Sequence, residues 1–576
     1  MKLRIKEKEP LLDDDTQEME YSVLNEENEA LINMHDHFGV FNAEVTEFTD
    51  IVGENGKWQV KLVLLSSICE FTSALNHLAM SFLAFPVDHW CSRPKDFNNS
   101  LDIWWSEFLP NATIKGLSQH SQCEKFVFNN TSFNTTDRIT VSCNAWEYSS
   151  EFNSVANHWD VVCDKEWFIS TSQSAYMIGF LFAAFLSGQI SDLYGRYPAI
   201  MINVIISIIA GVAVAFSSSF LMFSVSRFFV GIGQAGMGLV LFVLLIESVG
   251  PRHRVKYIIL CSLGWNVGQM LLPLMAWLLQ DWYTLQLAIT APSLLFISFY
   301  WILPESPRWL LSSGKLQEAL PILREAAIAN EFELKDLEKK AESLCNSSSC
   351  TDKTSVTVID LLKTPNLRKN TFCLYFIWIV IAFVYYGLSL NTNDLKGDIY
   401  WNFAFSGIME FPAAAFCLFT MDQFGRKKPF IFSFLVGGIF CLGCIFVPKS
   451  YALVSTAFSM IGKLFIAAGF RIVYIYSAEI FPTVARNIGV GSCSTMARIG
   501  STTAPFMKDL SKITDPSVPL VTYGILSIIC AGLLILLPET KNSLMPETLE
   551  QAEMFGKADE KLELHAYSKM TITSSE

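Results

Sequence analysis

Charge is scarce in this chain: only 17% of its 576 residues are Asp, Glu, Lys or Arg, against about 25% in soluble domains. A wholly solvated protein is therefore excluded. No cluster of Lys and Arg is long enough to track a nucleic acid, so a nucleic-acid partner is not expected. There is no GxxxxGK[ST] loop to cradle nucleotide phosphates, no HExxH, and no GxSxG in a suitable context. These absences argue against an enzyme and against ATP-driven work, and no cofactor or metal site is expected. The N-terminus is not expected to be a signal peptide, because the first apolar run begins near Val60, too late for one. The formal net charge of −13 is local, because residues 1–56 hold 15 acids against four bases, a net of −11, and the other 520 residues sum to −2.

What is present is hydrophobic sequence, 51% of the chain. A membrane-crossing helix needs about 20 mostly apolar residues. Twelve such runs are predicted, at 60–84, 168–190, 197–217, 221–246, 257–279, 284–303, 371–391, 399–420, 429–447, 452–478, 487–507 and 518–537. The fold class is thus an all-α membrane protein of twelve spans in two halves. We divide it into an acidic tail (1–57), an N-terminal half (58–303) with a long loop at 85–167, a central loop (304–370), a C-terminal half (371–540) and a second tail (541–576). The short loops alternate between basic (Arg196; Arg252, Arg254, Lys256; Arg426, Lys427, Lys428; Arg486) and nearly uncharged. Positive loops stay in the cytosol, so both tails and the central loop are expected there and 85–167 outside. That loop carries five Asn-X-Ser/Thr acceptors, at Asn98, Asn111, Asn129, Asn130 and Asn134, expected to be glycosylated. Cys91, Cys123, Cys143 and Cys163 lie in or beside it, which suggests two disulfides with three connectivities open.

Three marks recur in order. Asp192-Leu-Tyr-Gly195-Arg196 returns as Asp422-Gln-Phe-Gly425-Arg426, 230 residues on; Glu247 returns as Glu479, 232 on; Pro304-Glu305-Ser306-Pro307 returns in part as Pro538-Glu539-Thr540, 234 on. Two homologous six-helix halves follow, related by an axis along the membrane normal. Asp192 and Arg196 are expected to pair with Glu247 and the Arg252/Arg254 group, and Asp422 and Arg426 with Glu479 and Arg486, as latches holding the cytosolic side shut until the halves rock.

These marks belong to a longer set. Trp159-Asp-Val-Val-Cys163-Asp-Lys-Glu-Trp167, Gly188-Gln-Ile-Ser-Asp192-Leu-Tyr-Gly195-Arg196, Pro304-Glu305-Ser306-Pro307-Arg308-Trp309, Tyr474-Ile-Tyr476-Ser-Ala-Glu479-Ile-Phe-Pro482 and Leu537-Pro538-Glu539-Thr540-Lys541 together resemble the organic cation, organic anion and carnitine transporter family of solute carriers. The similarity runs from about Val52 to Ala552. It implies the major facilitator fold and transport of small organic ions by alternating access. Leu418 departs from the Gly often found there. Sugar porters share the Pro-Glu-Ser-Pro-Arg mark but lack this outer loop.

Ionisable residues within spans are costly and usually face a cavity. Glu70 lies midway along the first span, with Lys463 and Arg471 in the tenth. Glu410 lies 12 residues before Asp422 and Arg498 lies 12 after Arg486, each roughly 18 Å deep at about 1.5 Å per residue. The resemblance implies that cation carriers tend to have Asp where Arg498 stands, whereas carriers of anions or of zwitterionic carnitine have Arg. It also likens Glu410 to cation and carnitine carriers, and Tyr385-Tyr386-Gly387-Leu388 to the carnitine branch. Arg471 is an extra cation that tilts the site toward anions. An Arg can hold a carboxylate in a bidentate fork, and in the empty state Arg498 is expected to lean on a carboxylate such as Glu410 or on water. Tyr386 and Tyr474 are candidates for cation–π contact, as are Tyr176, Trp265 and Tyr476; Gln269, Gln173 and Asn266 are polar candidates. The substrate expected is an organic anion or a zwitterion such as carnitine, with an organic cation as the alternative and a non-transporting sensor as the reading from another class. Coupling would be to a substrate gradient or to an ion, Na+ or H+.

The acidic tail holds Glu7-Lys-Glu-Pro-Leu11-Leu12 and Tyr21-Ser-Val-Leu24, patterns that trafficking adaptors read. They leave the plasma membrane, preferred here, and endolysosomal membranes as addresses. Within the central loop, Leu316 to Ala327 shows helical apolar spacing, predicting amphipathic helices under the bundle.

Overall fold

The structure, a computed structural model, describes residues 48–94, 101–114, 117–128, 138–149, 152–250, 253–332, 336–350, 357–395, 397–448, 451–541, 546 and 548–555. The two sorting patterns, Arg252, Asn98, Asn129, Asn130 and Asn134 lie outside them.

Eleven helices among the described residues are long and apolar enough to cross a membrane: Lys57–Leu83, Cys163–Tyr194, Arg196–Ala215, Phe220–Ser248, Lys256–Leu279, Trp282–Ile302, Pro365–Leu390, Ile399–Phe424, Lys427–Phe446, Leu453–Ile480 and Val518–Ile535. We number these as spans 1 to 10 and 12. Span 11 is the pair Arg486–Thr503 and Phe506–Ile513, broken at Ala504 and Pro505. It is too rich in Gly, Ser, Thr and Arg to count as apolar, which is what a helix lining a polar interior rather than facing lipid would carry. Each half packs alike. Span 1 lies on span 5 and span 7 on span 11; spans 3 and 4 pair as do 9 and 10; span 6 covers span 3 as span 12 covers span 9. Where spans 2 and 4 cross, a Cβ on Gly179 or Gly231 would stand 2.3 Å from the facing backbone, at Phe228 and Tyr176 respectively. Small residues there let the helices touch, as is common inside membranes.

The halves meet where span 2 faces span 11 and span 5 faces span 8. Ser170 Oγ donates to Pro505 O (3.3 Å) and Ser174 Oγ to Thr502 O (2.7 Å). Glu166 and Lys512 form an ion pair across the same seam. Phe82 packs against Tyr400 and Phe403, 5.8 and 5.0 Å between ring centroids. Apart from the mid-depth contacts described below, these joints lie toward the end of the bundle that carries loop 85–167, so the halves are closed on the loop side.

Loop 85–167 is not irregular. Strand His89–Cys91 pairs with Trp146–Tyr148, Asn111–Ile114 with Leu117–His120, and Glu124–Phe128 with Arg138–Ser142, each pair antiparallel. Helical periodicity could not reveal these short strands. Disulfides join Cys91 to Cys143 and Cys123 to Cys163. Around the first, Trp104 is buried with Leu109, and its indole donates to Cys91 O at 3.1 Å. Asn111 begins a strand. The central loop forms helices Pro307–Ser312, Leu316–Ala329 and Leu337–Cys350. Ala319, Leu323, Ala326 and Ala327 of the second are buried against the N-terminal half, and Asn330 donates to Val52 O and Gln59 Oε1, both at 2.9 Å.

Candidate functional site

The duplicated marks converge into one cluster per half. Gly195 turns between spans 2 and 3 at φ +107°, and Gly425 between spans 8 and 9 at φ +87°. A side chain at either would run into the Glu305 or Glu539 carboxylate. Glu305 accepts from the backbone N–H groups of Arg196 (2.8 Å) and Tyr197 (3.1 Å), the unsatisfied donors that open span 3. Glu539 does the same for Arg426 (3.0 Å) and Lys427 (3.3 Å) at span 9. Arg196 then grips Glu247 at 2.7 Å and Asp192 at 3.2 Å, and Arg426 grips Glu479 at 3.0 Å. Each ion pair thus forms inside one half and braces that half in this state. Among the described residues Asp192 pairs with Arg196 and not with Arg254, which donates to Val249 O at 3.2 Å. Asp192 and Asp422 are exposed. Arg486 donates to Thr483 Oγ1 at 3.3 Å.

A second cluster lies at mid-depth, across both halves. Glu410 opens the second segment of span 8, after the helix is interrupted at Met409. Its carboxylate is buried, taking Arg471 Nη1 of span 10 on Oε2 (2.9 Å) and the Tyr385 hydroxyl of span 7 on Oε1 (2.9 Å). Span 5 of the other half closes the ring: Asn266 Oδ1 accepts from Arg471 Nη2 (3.0 Å), and Trp265 Nε1 donates to Tyr385 Oη (2.9 Å). Lys463, also buried, is held by Ser406 Oγ, to which Gln269 Nε2 donates at 3.1 Å. Gln269 is fully enclosed in this span 5–span 8 joint.

Arg498 stands apart from that ring. The expected Arg498–Glu410 pair is replaced by Arg471–Glu410, because span 10 packs on span 8 whereas span 11 packs on spans 7 and 2. Arg498 is half-buried, its guanidinium 4.9 Å from the centroid of the Phe180 ring, and its positive charge acts on Tyr386. Tyr474 lies under the same positive charge and also feels the Glu70 carboxylate, as does Tyr386. Glu70 is half-buried on span 1. Arg498, Tyr386, Tyr474 and Glu70 therefore share one neighbourhood.

Sequence reasoning passed over two buried groups. Arg227 of span 4 is fully buried, donating to Asn76 O (3.1 Å) and Gln173 Oε1 (2.9 Å) and lying 4.6 Å over Tyr176. Gln173 Nε2 in turn donates to His77 O (3.0 Å). Span 1 is interrupted at Ala79, and Arg227 and Gln173 satisfy the carbonyls left there without helical partners. His77 is buried among Tyr386 (4.6 Å, stacked), Phe180, Tyr176 and Trp265. The signal for Arg227 was available: one Arg inside the run Phe220–Ser248.

Residues 117–554 match the family described as "Sugar (and other) transporter". The chain is 36% identical to an organic cation transporter protein of Drosophila melanogaster over 88% of its length and 94% of the relative's. It is 33% identical to solute carrier family 22 member 3 of Mus musculus, again over 88% and 94%. The chain belongs to the organic cation, organic anion and carnitine transporter family of solute carriers. It is a transporter of small organic ions and not an enzyme. In fold it resembles the major facilitator proton:xylose symporter XylE (TM-score 0.58, 17% identity, 87% of this chain and 99% of that one) and a partially occluded inward-open form of XylE from E. coli (TM-score 0.56, 16% identity, 84% and 99%).

Proposed function

We propose that this carrier moves small organic anions or zwitterions by alternating access, with the substrate carboxylate on Arg498. The observation that carries this reading is the charge within the spans: among the described residues Arg227, Lys463, Arg471 and Arg498 stand against Glu70 and Glu410, and Glu410 is already held by Arg471. Arg498, without a carboxylate in that role, is left to an incoming anion. An Arg fork on a carboxylate is a charge-assisted bond of about 1.5–3 kcal/mol. A zwitterion such as carnitine is favoured by Glu70, which shares Tyr386 and Tyr474 with Arg498 and replaces Glu410 as the group for an ammonium. The relatives named as organic cation transporters keep the cation reading in play.

In the closed-loop-side state the substrate would leave or enter from the basic side, taken here as cytosolic in the plasma membrane, with loop 85–167 outside. Rocking would part the span 2–11 and span 5–8 seams and close the basic side. The drive is a substrate gradient or a coupled ion, Na+ or H+. Adaptors would read the N-terminal tail.

The test is uptake of radiolabelled carnitine, tetraethylammonium and glutarate, with surface level measured alongside. Arg498→Ala at normal surface level should lower glutarate or carnitine uptake at least about tenfold, the equivalent of about 1.4 kcal/mol. Normal carboxylate uptake by that variant would remove Arg498 from the site.

A further inference from the structure

Arg471 has a peculiar position for a substrate ligand. Its guanidinium directs one terminal nitrogen, Nη1, to Glu410 and the other, Nη2, to Asn266, and its side chain is only 13% exposed. Glu410, at 2% exposure, has both oxygens engaged by Arg471 and Tyr385. Tyr385 is itself fixed by Trp265. Each Glu410 oxygen already has a donor, and the buried carboxylate presents no open face to a ligand. A carboxylate deep in a membrane protein demands a positive partner, and here the protein supplies its own.

We propose that Arg471 is a specificity-determining residue, a resident cation that occupies the Glu410 carboxylate and thereby keeps organic cations out of the mid-depth site. The chemistry is competition. A quaternary ammonium or protonated amine entering between the halves would need Glu410 as counter-ion, with Tyr385 and Trp265 as aromatic walls. The tethered guanidinium, hydrogen-bonded and already desolvated, holds that place at high effective concentration. Arg471 also reaches Asn266 of the other half, so the same contact ties span 10 to span 5 while the site is unfilled by a cation. Lys463 is the other cation acting on Glu410, but its ammonium is held by Ser406. This proposal deepens the anion reading above and rests on it for the substrate the wild-type protein prefers.

The experiment is tetraethylammonium uptake by the full-length protein, corrected for surface level, for Arg471→Gln alone and with Lys463→Gln, the latter so that Lys463 cannot slide onto the vacated carboxylate. Either variant should gain tetraethylammonium uptake at least about tenfold over wild type, and adding Glu410→Gln should return uptake to the wild-type level. A structural role alone would lower every flux and create none. Both variants at the surface with no gain would overturn the proposal. Should neither reach the surface, wild type and Glu410→Gln decide. Tetraethylammonium uptake by wild type that Glu410→Gln abolishes would show Glu410 open to cations and overturn it; uptake absent or unchanged by Glu410→Gln supports it. The outcome is separable from the Arg498 test, because Arg498→Ala bears on carboxylate flux and the Arg471 variants are read by gain of a cation.

Discussion

A charged side chain inside a membrane survives only where something answers its charge, and the residues of this carrier differ in what answers them. Arg471 and Glu410 answer each other at 2.9 Å. Arg227 leans on two carbonyl oxygens and the Tyr176 ring, which binds it to the break in span 1 rather than to a substrate. Arg498 has aromatic neighbours, the Phe180 ring with Tyr386 and Tyr474, and no ion pair among the described residues, and that incompleteness is what suits it to an anion. The positions of Glu70, Glu410, Arg471 and Arg498 were readable from the chain because charge stands out in apolar runs. Which cation takes Glu410 was not, since it depends on how spans 8, 10 and 11 pack, and depth along a helix says nothing of the neighbour it faces. Arg498→Lys keeps the charge and loses the planar fork. We expect it to raise the Michaelis constant for glutarate several-fold with normal surface level and little change in maximal rate, measured by initial uptake over a concentration series; an unchanged constant would mean that the fork is not used.

At the scale of elements, the turns between spans 2 and 3 and between spans 8 and 9 were legible in full as a repeat, and only partly as a mechanism. Gly195 and Gly425 take the positive φ that the turns need, and the third mark, Glu305 or Glu539, proves to be the cap of the helix that begins there. The spacing already named the pairs Arg196–Glu247 and Arg426–Glu479, each within one half, but not that Glu305 and Glu539 would cap the helices beside them. Asp192 and Asp422, exposed beside those arginines, are the members of each cluster left facing outward, placed to meet the opposite half once the basic side closes. Asp192→Asn or Asp422→Asn should therefore cut maximal uptake several-fold at normal surface level with the Michaelis constant little changed. Unchanged uptake in both would end the latch reading. Span 11 shows the opposite failing of legibility: its Ser, Thr, Gly and Arg content, the mark of an interior lining, lowers its apolarity below that of every other span. The loop strands escaped helical periodicity, though the cysteines beside them announced a stapled domain. If that loop is outside, as proposed, a deglycosidase should lower the apparent mass of protein from animal cells, and an unchanged mass would reverse the orientation.

For the whole molecule, the state is set by which seam is shut. On the loop side the halves are joined by Ser170 to Pro505, Ser174 to Thr502, the Phe82–Tyr400–Phe403 stack and the Glu166–Lys512 ion pair. The ion pair joins the two halves by full charges at the rim, with side chains 32% and 48% exposed. Exposed pairs contribute about 0.2–1 kcal/mol and weaken with salt. Its removal would not unfold the carrier, because each half keeps its own core. It would shift the balance between loop-side-closed and loop-side-open forms by the pair's free energy, about 1.4- to 5-fold. Glu166→Gln and Lys512→Gln should each raise the fraction open on the loop side by that factor, and the double variant should add little beyond either single change, since both remove the same interaction. The measurement is spin-label distance distributions between spans 2 and 11 at the loop-side rim in reconstituted protein, at low and high salt. Wild type should move toward the variants as salt rises, and the variants should respond less. Distributions indifferent to both substitutions and to salt would show that packing and neutral hydrogen bonds alone hold this seam.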